Sequence, residues 1–352
     1  MADKGKHDRR GRCYFCPELT RHIQSKTCYW DWLIAAGNQE NTAEYENAWL
    51  FGANMSICVI FNPHAGRRRA RRRTERFRRR WQGRVEFRQT EYSGHGIVLA
   101  REAAERGCRI VAAAGGDGTA HDVANGVLQA DRPDVTLAVV PVGSANDYAY
   151  AVSQEFGVSQ LNDDRGHLVD AGVVRFGDNQ QRYFVESVGT GLSGYATMES
   201  RKISRLQGKL LYGLAVWRAL RRPLVELNIQ YDDRPAFQSP TLLLSAMLGC
   251  REGNFMLAPG AELADGLFDV IHGAQIHRWQ AVGLLGRIGC CGLPRQHPEI
   301  HRSQCRLLRL EGQTPLVIHA DGELVCVPDD AVCQAVVEIL PARLRVKVCG
   351  TH

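Results

Sequence analysis

One short glycine-rich segment constrains the fold of this 352-residue chain more than any other feature. The sequence Gly-Gly-Asp-Gly-Thr at residues 115–119 follows an apolar run, residues 109–113, and precedes a helical stretch that reaches Ala130. Glycines at a strand-to-helix turn let backbone N–H groups approach phosphate oxygens, and the following helix adds its positive end. Asp117 supplies a carboxylate that suits Mg²⁺ or its waters. The segment favours nucleotide binding, with an ordinary glycine-rich turn as the alternative.

The alternation of strands and helices around this segment predicts an open parallel sheet. Strand-like apolar runs occupy residues 57–61, 85–90, 109–113 and 137–140, with helical stretches between them. This order is typical of a Rossmann-like α/β domain, whose ligands bind beyond the carboxyl ends of the strands. Polar, glycine-bearing loops at residues 62–66 and 141–149 fall at the same edge. We therefore predict a nucleotide-binding α/β domain over residues 55–150.

The remainder, residues 151–352, contains many shorter strand-like runs. They occupy residues 169–176, 182–188, 224–231, 241–248, 267–272, 305–310, 315–319, 335–340 and 344–348. Runs of this length predict a mostly-β domain, a sandwich, which helices over residues 191–222 and 276–291 interrupt. The predicted fold class is thus α/β plus β, with the active site in the cleft between the two domains.

Residues 1–54 differ from the rest and are predicted to be a poorly ordered N-terminal extension. The pair Cys13 and Cys16 has a spacing that suits zinc, but a second paired half with finger-like spacing is missing. Met55 stands directly before the first strand-like run, so an over-long start is a further interpretation. The scattered cysteines elsewhere are interpreted as free thiols.

The distribution of charged and apolar residues predicts the location of the protein in the cell. The chain has no apolar run near the roughly 20 residues of a spanning helix and no basic-then-apolar leader, which predicts a cytoplasmic protein. Residues 67–80 hold ten arginines, opposed only by Glu75. A solvated helix face explains this block most simply; peripheral contact with anionic lipid at the inner membrane face comes next. Nucleic acid ranks last, because Phe77 and Trp81 are the only aromatic residues available for stacking here, and we predict no nucleic-acid partner. A homo-oligomer stays open.

Several common enzyme classes are excluded by missing motifs. The chain lacks G-x-x-x-x-G-K-[ST], so it has no Walker lysine, and it lacks the H-R-D loop of protein kinases. Residues 186–194 are rich in glycine and serine but contain no G-x-S-x-G elbow, so we expect them to line the cleft. His272 and His319 are interpreted as ordinary strand residues.

The loops resemble those of the bacterial lipid kinases related to diacylglycerol and sphingosine kinases, over about residues 56–348. Residues 62–66 resemble the N-P-x-S-G loop of that family, with Ala65 in place of serine. The G-G-D-G-T loop is intact, although His121 and Asp122 follow it where N-E is common. Residues 141–149 resemble P-x-G-T-x-N-D-F-A. The resemblance implies an ATP-dependent lipid kinase that uses Mg²⁺ and acts at a membrane surface.

The resemblance also implies roles for individual residues. Glu323, which follows a turn at Asp321, would be the general base that accepts the proton of the lipid hydroxyl. Asp117 and Asp147 would organise the catalytic Mg²⁺. The residues implied in binding ATP are Asn62, Gly66, Thr90, Gly115, Gly116, Asp117, Gly118, Thr119, Ala120, His121 and Ser144.

A structural Mg²⁺ is implied in the second domain. Its ligands would be the side chain of Asp265 and the main-chain carbonyl oxygens of Glu262 and Leu267, since hard oxygen ligands suit this ion. From the residues alone, a plain β-turn at residues 264–266 is the simpler interpretation.

Two other functions remain open. An NAD kinase or a 6-phosphofructokinase would share the G-G-D-G-T loop and act on a non-lipid acceptor. A nucleotide-binding regulator without catalysis is the other alternative, for which Ala65, His121 and Asp122 are the hints. The acceptor itself, whether diacylglycerol, a sphingoid base, a phosphatidylglycerol-like lipid or an isoprenoid, is not readable, because acyl pockets consist of interchangeable apolar residues.

Overall fold

The computed structural model describes residues 57–63, 68–81, 85–203, 209–276, 278–294 and 296–350. Some of the predictions concern other parts of the chain: the extension 1–54 with its cysteine pair, Met55, and the portion of the first loop that contains Ala65 and Gly66. These stay predictions, as do the domain boundaries after residues 54 and 150.

Strands and helices alternate over residues 57–156, as the sequence predicts. The elements are β1 (Ile57–Phe61), α1 (Arg68–Trp81), β2 (Glu86–Gln89), α2 (His95–Glu105), β3 (Ile110–Gly115), α3 (Asp117–Gln129), β4 (Thr136–Pro141) and α4 (Asp147–Phe156). β1 pairs in parallel with β2 and β3, and β3 pairs in parallel with β4. Because all four strands run in one direction, the loops after β1, β3 and β4 meet at one edge of the sheet.

Helices cover both faces of this parallel sheet, which explains why β1, β3 and β4 are buried along their whole lengths. On one face, Leu99 of α2 and Val123 of α3 belong to a common apolar core. On the other face, Phe77 and Trp81 of α1 are buried against the sheet. Their spacing of four residues puts both rings on one side of α1. The arginine block is therefore an amphipathic helix with an apolar anchor.

The rest of the described chain is mainly β. Its elements are β5 (His167–Phe176), β6 (Gln180–Phe184), β7 (Ser187–Gly191), α5 (Leu192–Arg201), α6 (Lys209–Ala219), β8 (Val225–Tyr231), β9 (Phe237–Thr241), β10 (Leu243–Met247), β11 (Arg251–Glu252), β12 (Phe255–Met256), β13 (Phe268–Gly273), α7 (Arg278–Cys291), β14 (Ile300–Cys305), β15 (Leu307–Gly312), β16 (Ile318–Ala320), β17 (Glu323–Cys326) and β18 (Gln334–Val348).

Two sheets pack face to face in this part and confirm the predicted sandwich. Within the described residues, one sheet has six strands in the order β14-β13-β10-β7-β16-β17. Its inward side chains, such as Ala246 and Ile318, share a core with Leu227 and Leu308 of the opposite sheet. That opposite sheet continues into the parallel strands through β18, which pairs in parallel with β4 and antiparallel with β15 and β5.

Two of the differences from the predicted strands concern where one strand ends and the next begins. Residues 335–340 and 344–348, predicted as separate strands, form the single strand β18, whose register shifts between Leu340 and Leu344. Residues 182–188, predicted as one strand, divide into β6 and β7, which belong to different sheets. The division follows from three backbone N–H groups, those of Val185, Glu186 and Ser187, which donate to the Asp321 carboxylate and not to a neighbouring strand.

Helices α6 and α7 lie over the six-stranded sheet. Val216 of α6 and Ile288 of α7 join an apolar cluster with Ile271 of β13. Trp217 and Trp279 point away from that cluster and are exposed. Among the described residues, no helix combines the length and the apolar character that crossing a membrane requires.

Candidate active site

A cavity of 640 Å³ opens at the carboxyl edge of the parallel strands and reaches the β16–β17 turn of the sandwich. Among the described residues, nine of those predicted as catalytic or nucleotide-binding line it: Asn62, Thr90, Gly116, Asp117, Gly118, Thr119, Ser144, Asp147 and Glu323. Gly115, Ala120 and His121 lie outside the cavity lining, and Gly66 lies outside the described residues. The residues selected from the sequence therefore include most of the cavity lining that comes from the α/β elements.

The glycine loop is held by close backbone packing. A Cβ atom on Gly143 would lie 2.3 Å from the Cα of Gly116, and one on Gly115 would lie 2.2 Å from the Thr119 hydroxyl. Only glycine fits at these two positions. The loops after β3 and β4 thus touch through their main chains. Helix α3 begins at Asp117, and its first N–H groups stand at the cavity, where an anion can accept hydrogen bonds from them.

Asn146 ties the two loops together. Its φ of 54° places it in the left-handed region, and its side chain accepts a hydrogen bond from Gly143 N (3.0 Å) and donates one to Gly143 O (3.1 Å). The Asn146 backbone N–H donates to Oδ2 of Asp117 at 2.9 Å. Because Asp147 is the next residue, these bonds bring two carboxylates to one place in the cavity wall.

Asp147 is buried, with 2 % of its surface exposed. Its Oδ2 accepts a hydrogen bond from Asn254 N at 2.7 Å, whereas its Oδ1 has no partner among the described residues. Burial, and after it the charge of Asp117, raises the pKa of Asp147 to about 7. Burial also raises the pKa of Asp117. A buried carboxylate with an orphaned oxygen, Asp147, beside the partly buried Asp117 forms a site that a divalent cation fits.

Glu323 reaches the glycine loop from the sandwich. The positive φ angles of Asp321 (50°) and Gly322 (77°) make the tight turn that joins β16 to β17, and Glu323 follows it. Oε1 of Glu323 lies 2.9 Å from the position that a Cβ atom on Gly118 would take. Oε2 accepts a hydrogen bond from Arg201 of α5 at 2.6 Å. The carboxylate therefore faces the glycine loop.

Asp321 anchors this turn. Its buried carboxylate accepts backbone hydrogen bonds from Val185 (3.0 Å), Glu186 (2.8 Å) and Ser187 (3.0 Å). Its own N–H donates to Ser187 O at 2.8 Å. The sequence predicted Asp321 only as a turn residue, because nothing in the local pattern indicates its distant partners.

His121 connects the glycine-loop helix to the same anchor. Its Nδ1 lies 2.8 Å from Oδ2 of Asp321, and both side chains are buried. Its Nε2 lies 3.3 Å from Nδ2 of Asn125, which also donates to Tyr183 O at 2.9 Å. His121 was predicted as a nucleotide-binding residue, but its ring points at Asp321. The spacing of His121 and Asn125, four residues on one helix face, is the signal that could have indicated a shared contact.

The cavity lining also contains three polar side chains to which the sequence interpretation gave no role in the site: Glu186, Glu252 and His319. We call them the polar recess. All three line the cavity and are buried, with exposed fractions of 5 %, 8 % and 1 %. The prediction that residues 186–194 line the cleft holds for Glu186 and Ser187. A charged residue inside an apolar strand-like run was the signal available in the sequence.

Tyr92 is a further lining residue that the sequence interpretation missed. It is 61 % exposed, and its ring stacks on that of His95 with 4.4 Å between the ring centroids. Thr90, two residues earlier, is buried and donates its N–H to Phe61 O at 3.0 Å. The loop after β2 thus presents an aromatic face at the side of the cavity formed by α/β elements.

The predicted structural metal loop lies away from the cavity lining. Leu267 N donates to Oδ1 of Asp265 at 3.0 Å, and Gly266 N donates to Oδ2 of Asp170 at 2.7 Å. Burial raises the pKa of Asp265, and the nearby charges of Asp170 and Glu262 add to this effect. Within the described ranges, no three acidic, histidine or cysteine side chains group closely enough to hold a metal. The predicted ligand set uses one side chain, so that finding does not test it.

Comparisons with known families cover both halves of the chain. The diacylglycerol kinase catalytic domain matches residues 56–173, and the YegS C-terminal NAD kinase beta sandwich-like domain matches residues 186–348. The diacylglycerol kinase of Bacillus subtilis (strain 168) is 32 % identical over 226 residues, which are 60 % of this chain and 72 % of that protein. That of Staphylococcus saprophyticus is 27 % identical over 240 residues, 66 % of this chain and 76 % of that protein.

Solved structures show the same fold. The crystal structure of a diacylglycerol kinase from Bacillus anthracis str. Sterne superimposes with a TM-score of 0.57 and 18 % sequence identity, over 83 % of this chain and 96 % of that one. At this identity the likeness concerns the fold alone. It supports an α/β unit joined to a β-sandwich.

Proposed function

Since this chain belongs to the diacylglycerol kinase-like family of lipid kinases, we propose that it transfers the γ-phosphoryl group of ATP to a lipid hydroxyl. One observation carries the proposal: the Glu323 carboxylate stands against Gly118, so a carboxylate of the sandwich faces a loop that can bind phosphates. A base beside a phosphate cradle in one cavity is what direct phosphoryl transfer requires.

The reaction proceeds as an in-line displacement. The hydroxyl oxygen of the lipid forms a bond to the γ-phosphorus as the bond from that phosphorus to the bridging oxygen breaks, and ADP leaves. The hydroxyl proton passes to the carboxylate of Glu323. The bond from Arg201 occupies Oε2 of that carboxylate, which leaves Oε1 directed at the Gly118 side. Arg201 is thus a positioning residue.

Asp117 and Asp147 would hold the catalytic Mg²⁺ or its waters. The orphaned Oδ1 of Asp147 and the raised pKa values of both carboxylates support this, because a bound cation relieves the repulsion between them. A divalent cation, when bound, neutralises negative charge on the phosphates. The hydrogen bonds from Asn146 and Asn254 keep both carboxylates in place without the cation.

The nucleotide would lie along the α/β side of the cavity. The N–H groups at the start of α3 would contact phosphate oxygens, and Asn62, Thr90 and Ser144 would contact the remainder of the nucleotide. Tyr92 offers the exposed ring face on which a base can stack. Gly66, Gly115, Ala120 and the backbone of His121 complete the nucleotide-binding set as a prediction.

A second Mg²⁺ with a structural role remains part of the proposal. Its ligands would be the Asp265 side chain and the carbonyl oxygens of Glu262 and Leu267. Negative charge concentrates there, since the charges of Asp170 and Glu262 raise the pKa of Asp265 further after burial. A cation would offset this repulsion. Its removal is expected to lower the melting temperature without moving a cavity residue.

The alternative functions are less well supported. An NAD kinase-like phosphotransferase with a non-lipid acceptor would use the same glycine loop, but the relatives named above are diacylglycerol kinases. A regulator without catalysis was suggested by Ala65, which lies outside the described residues, and by His121 and Asp122. His121 has a definite structural partner in Asp321, and Asp122 lines the cavity, so neither residue argues for lost activity.

Peripheral membrane contact through helix α1 is also proposed. Phe77 and Trp81 anchor this helix, and the described side chains of Arg72, Arg76 and Arg80 are exposed. Such a face attracts anionic headgroups, at about 1 kcal/mol per basic residue. It would bring the cavity to the surface where a lipid acceptor resides, at the inner face of a membrane.

The test is a phosphorylation assay. Purified protein is incubated with labelled ATP, Mg²⁺ and a panel of lipids, with NAD and fructose 6-phosphate as non-lipid acceptors. Label in a lipid supports the proposal. Label only in NAD or the sugar phosphate, or no transfer by protein that binds ATP, would replace it with one of the two alternatives.

A further inference from the structure

The polar recess has unused hydrogen-bonding capacity. Oε1 of Glu186 is a buried atom with no hydrogen-bond partner among the described residues, and Oε2 of Glu252 has none within normal hydrogen-bonding distance, although the hydroxyls of Ser187 and Ser245 lie beside the Glu252 carboxylate. Both side chains are more than nine-tenths buried and both line the cavity. A buried acceptor without a donor is unfavourable, so a ligand that supplies donors would bind here with a gain.

His319 links the recess to the turn that carries Glu323. Its Nδ1 accepts a hydrogen bond from Gly322 N at 3.3 Å, so the neutral ring carries its proton on Nε2. That Nε2 lies 3.4 Å from Oε1 of Glu252, a long contact that leaves both atoms open to another partner. The recess is therefore built beside the residue that would activate the acceptor hydroxyl.

The backbone around the two glutamates is fixed before any ligand binds. Glu186 donates its N–H to Asp321 at 2.8 Å, and its carbonyl accepts from Leu248 N at 2.8 Å. Glu252 precedes the turn at Gly253 and Asn254, and Asn254 N is bonded to Asp147 at 2.7 Å. Such prepared positions allow discrimination between ligands.

A metal ion is a poor occupant of the recess. The His319 nitrogen that faces Glu252, Nε2, carries a proton while Nδ1 accepts from Gly322 N, so the ring cannot act as a metal ligand there. Burial, and after it the charges of Asp147 and Asp117, raise the pKa of Glu186, so a ligand that supplies O–H or N–H donors would relieve both the missing hydrogen bond and this repulsion. A lipid whose head has only the reacting hydroxyl would leave these acceptors unpaired.

We propose that the polar recess selects acceptor lipids that carry a second hydrogen-bond donor, a hydroxyl or an ammonium group, beside the hydroxyl that is phosphorylated. This rests on the proposed lipid kinase function. The donor would bind between Glu186 and Glu252, with His319 at its side. Sites that hydrogen-bond a substrate group reject analogues that lack it, so acceptors with a single hydroxyl would be poor substrates.

Two measurements test this with short-chain, water-soluble probes. Dioctanoylglycerol has one hydroxyl and monooctanoylglycerol has two. The third probe, 2-aminodecan-1-ol, has an amine on the carbon next to the one that bears the hydroxyl. Turnover is followed with labelled ATP, and binding is followed separately as a shift in melting temperature without ATP. We expect kcat/KM to be about tenfold or more higher for a probe with two donors. Comparison of the two such probes distinguishes a hydroxyl from an ammonium ligand.

Variants connect the preference to the recess. Glu252→Gln and Glu186→Gln are each expected to lower the preference for two-donor probes about tenfold. The control is Asp269→Asn, which alters another carboxylate with a buried, unpartnered oxygen among the described residues, outside the cavity lining. The Asp269→Asn protein should prefer two-donor probes as strongly as the unaltered protein does. Two glutamate variants are used so that, if one of them does not fold, the other still tests the role of the recess.

The outcomes separate this inference from the proposed function. If the protein prefers dioctanoylglycerol, or if both glutamate variants keep the preference for two-donor probes, then the polar recess does not select the acceptor. Either result leaves the proposed kinase function standing. If no lipid is phosphorylated, the proposed function fails. In that case the binding measurement still tests the recess. A melting-temperature shift that only two-donor probes produce, and that Glu252→Gln removes, supports donor selection by the recess. If no such shift is seen, that inference fails as well.

Discussion

The ring of His121 and the carboxylate of Asp321 are bonded at 2.8 Å, although 200 residues separate them in the chain. His121 belongs to the helix that begins at the glycine loop, and Asp321 begins the turn that presents Glu323. One buried contact therefore sets the distance between the proposed phosphate cradle and the proposed base. A phosphoryl acceptor misplaced by about 1 Å can lose about a hundredfold in rate, so this contact bears on turnover.

Glu323→Gln is expected to fold normally and to lose most of its turnover, because an amide cannot accept the hydroxyl proton. The measurement is kcat with the best lipid, together with the melting temperature. Glu338→Gln is a matched control, since Glu338 pairs with Arg175 at similar exposure (43 % against 42 % for Glu323) on another part of the sandwich. A Glu323→Gln protein with near-normal kcat would remove the proposed base.

His121→Leu is expected to lower the free energy of unfolding by about 1–3 kcal/mol, because it leaves the buried Asp321 carboxylate without one partner. It should also lower kcat with little change in KM for ATP. His121→Asn, which retains a donor, should recover part of both losses. Chemical denaturation and steady-state kinetics measure the two effects.

His272→Leu serves as the control for this pair. His272 is also 2 % exposed, and it lies 3.1 Å from the Thr241 hydroxyl, outside the cavity lining. We expect a similar loss of stability with unchanged kcat. Equal loss of kcat in the two leucine variants would show that general destabilisation, and not the contact with Asp321, explains the effect.

We expect the stability of the metal-free protein to depend on pH through the carboxyl group of Asp147. Its pKa rises from 3.8 to about 7 on folding, so between these pH values the folded state holds a proton that the unfolded state has released. Stability contributed by this group is therefore full below about pH 4 and falls as the pH rises to about 7. Asp147→Asn should remove this fall. Unfolding in the presence of a chelator, measured from pH 4 to pH 8, reports the difference between the two proteins.

Other groups contribute to the same profile, so only that difference is interpreted. Burial lowers the pKa of His272 to about 4, which makes stability rise with pH over part of the same range. His272 is present in both proteins, and its effect cancels. Identical pH profiles for the two proteins would mean that Asp147 is ionised throughout the range.

Gly118→Ala is expected to lower kcat without a loss of stability. The new Cβ atom would lie 2.9 Å from Oε1 of Glu323, and the flexible carboxylate would have to move. At the helical Gly283, an added Cβ meets no described atom within 4 Å. Gly283→Ala should therefore raise stability by up to about 1 kcal/mol and leave kcat unchanged. An unaltered kcat in Gly118→Ala would contradict the close approach of Glu323.

Reversal of charge at Arg72, Arg76 and Arg80 is expected to weaken binding to vesicles that contain anionic lipid, by about 1 kcal/mol or more per residue. Sedimentation with the vesicles at low and high salt measures this, since salt screens the attraction. A control with the same change in net charge reverses Arg234, Arg306 and Arg309, which are exposed on the sandwich. Equal loss in both triple variants would assign the effect to net charge and not to α1.

The α/β half of the fold was predictable because its signals are local. The buried runs of β1, β3 and β4, and the glycines between strand and helix, follow from short-range sterics and burial. The division of residues 182–188 between β6 and β7 was not predictable. It depends on the carboxylate of Asp321, which lies more than 130 residues away in the chain.

The amino-acid sequence by itself determined the parallel order around the glycine loop, the loops that line the α/β side of the cavity and, through the resemblance, the selection of Glu323. The tertiary structure alone decided that His121 bonds Asp321 and that Glu186, Glu252 and His319 form one buried recess. Backbone turns and buried strands are governed by neighbours in the chain. Hydrogen bonds between distant side chains exist only after the two halves of the fold have packed together.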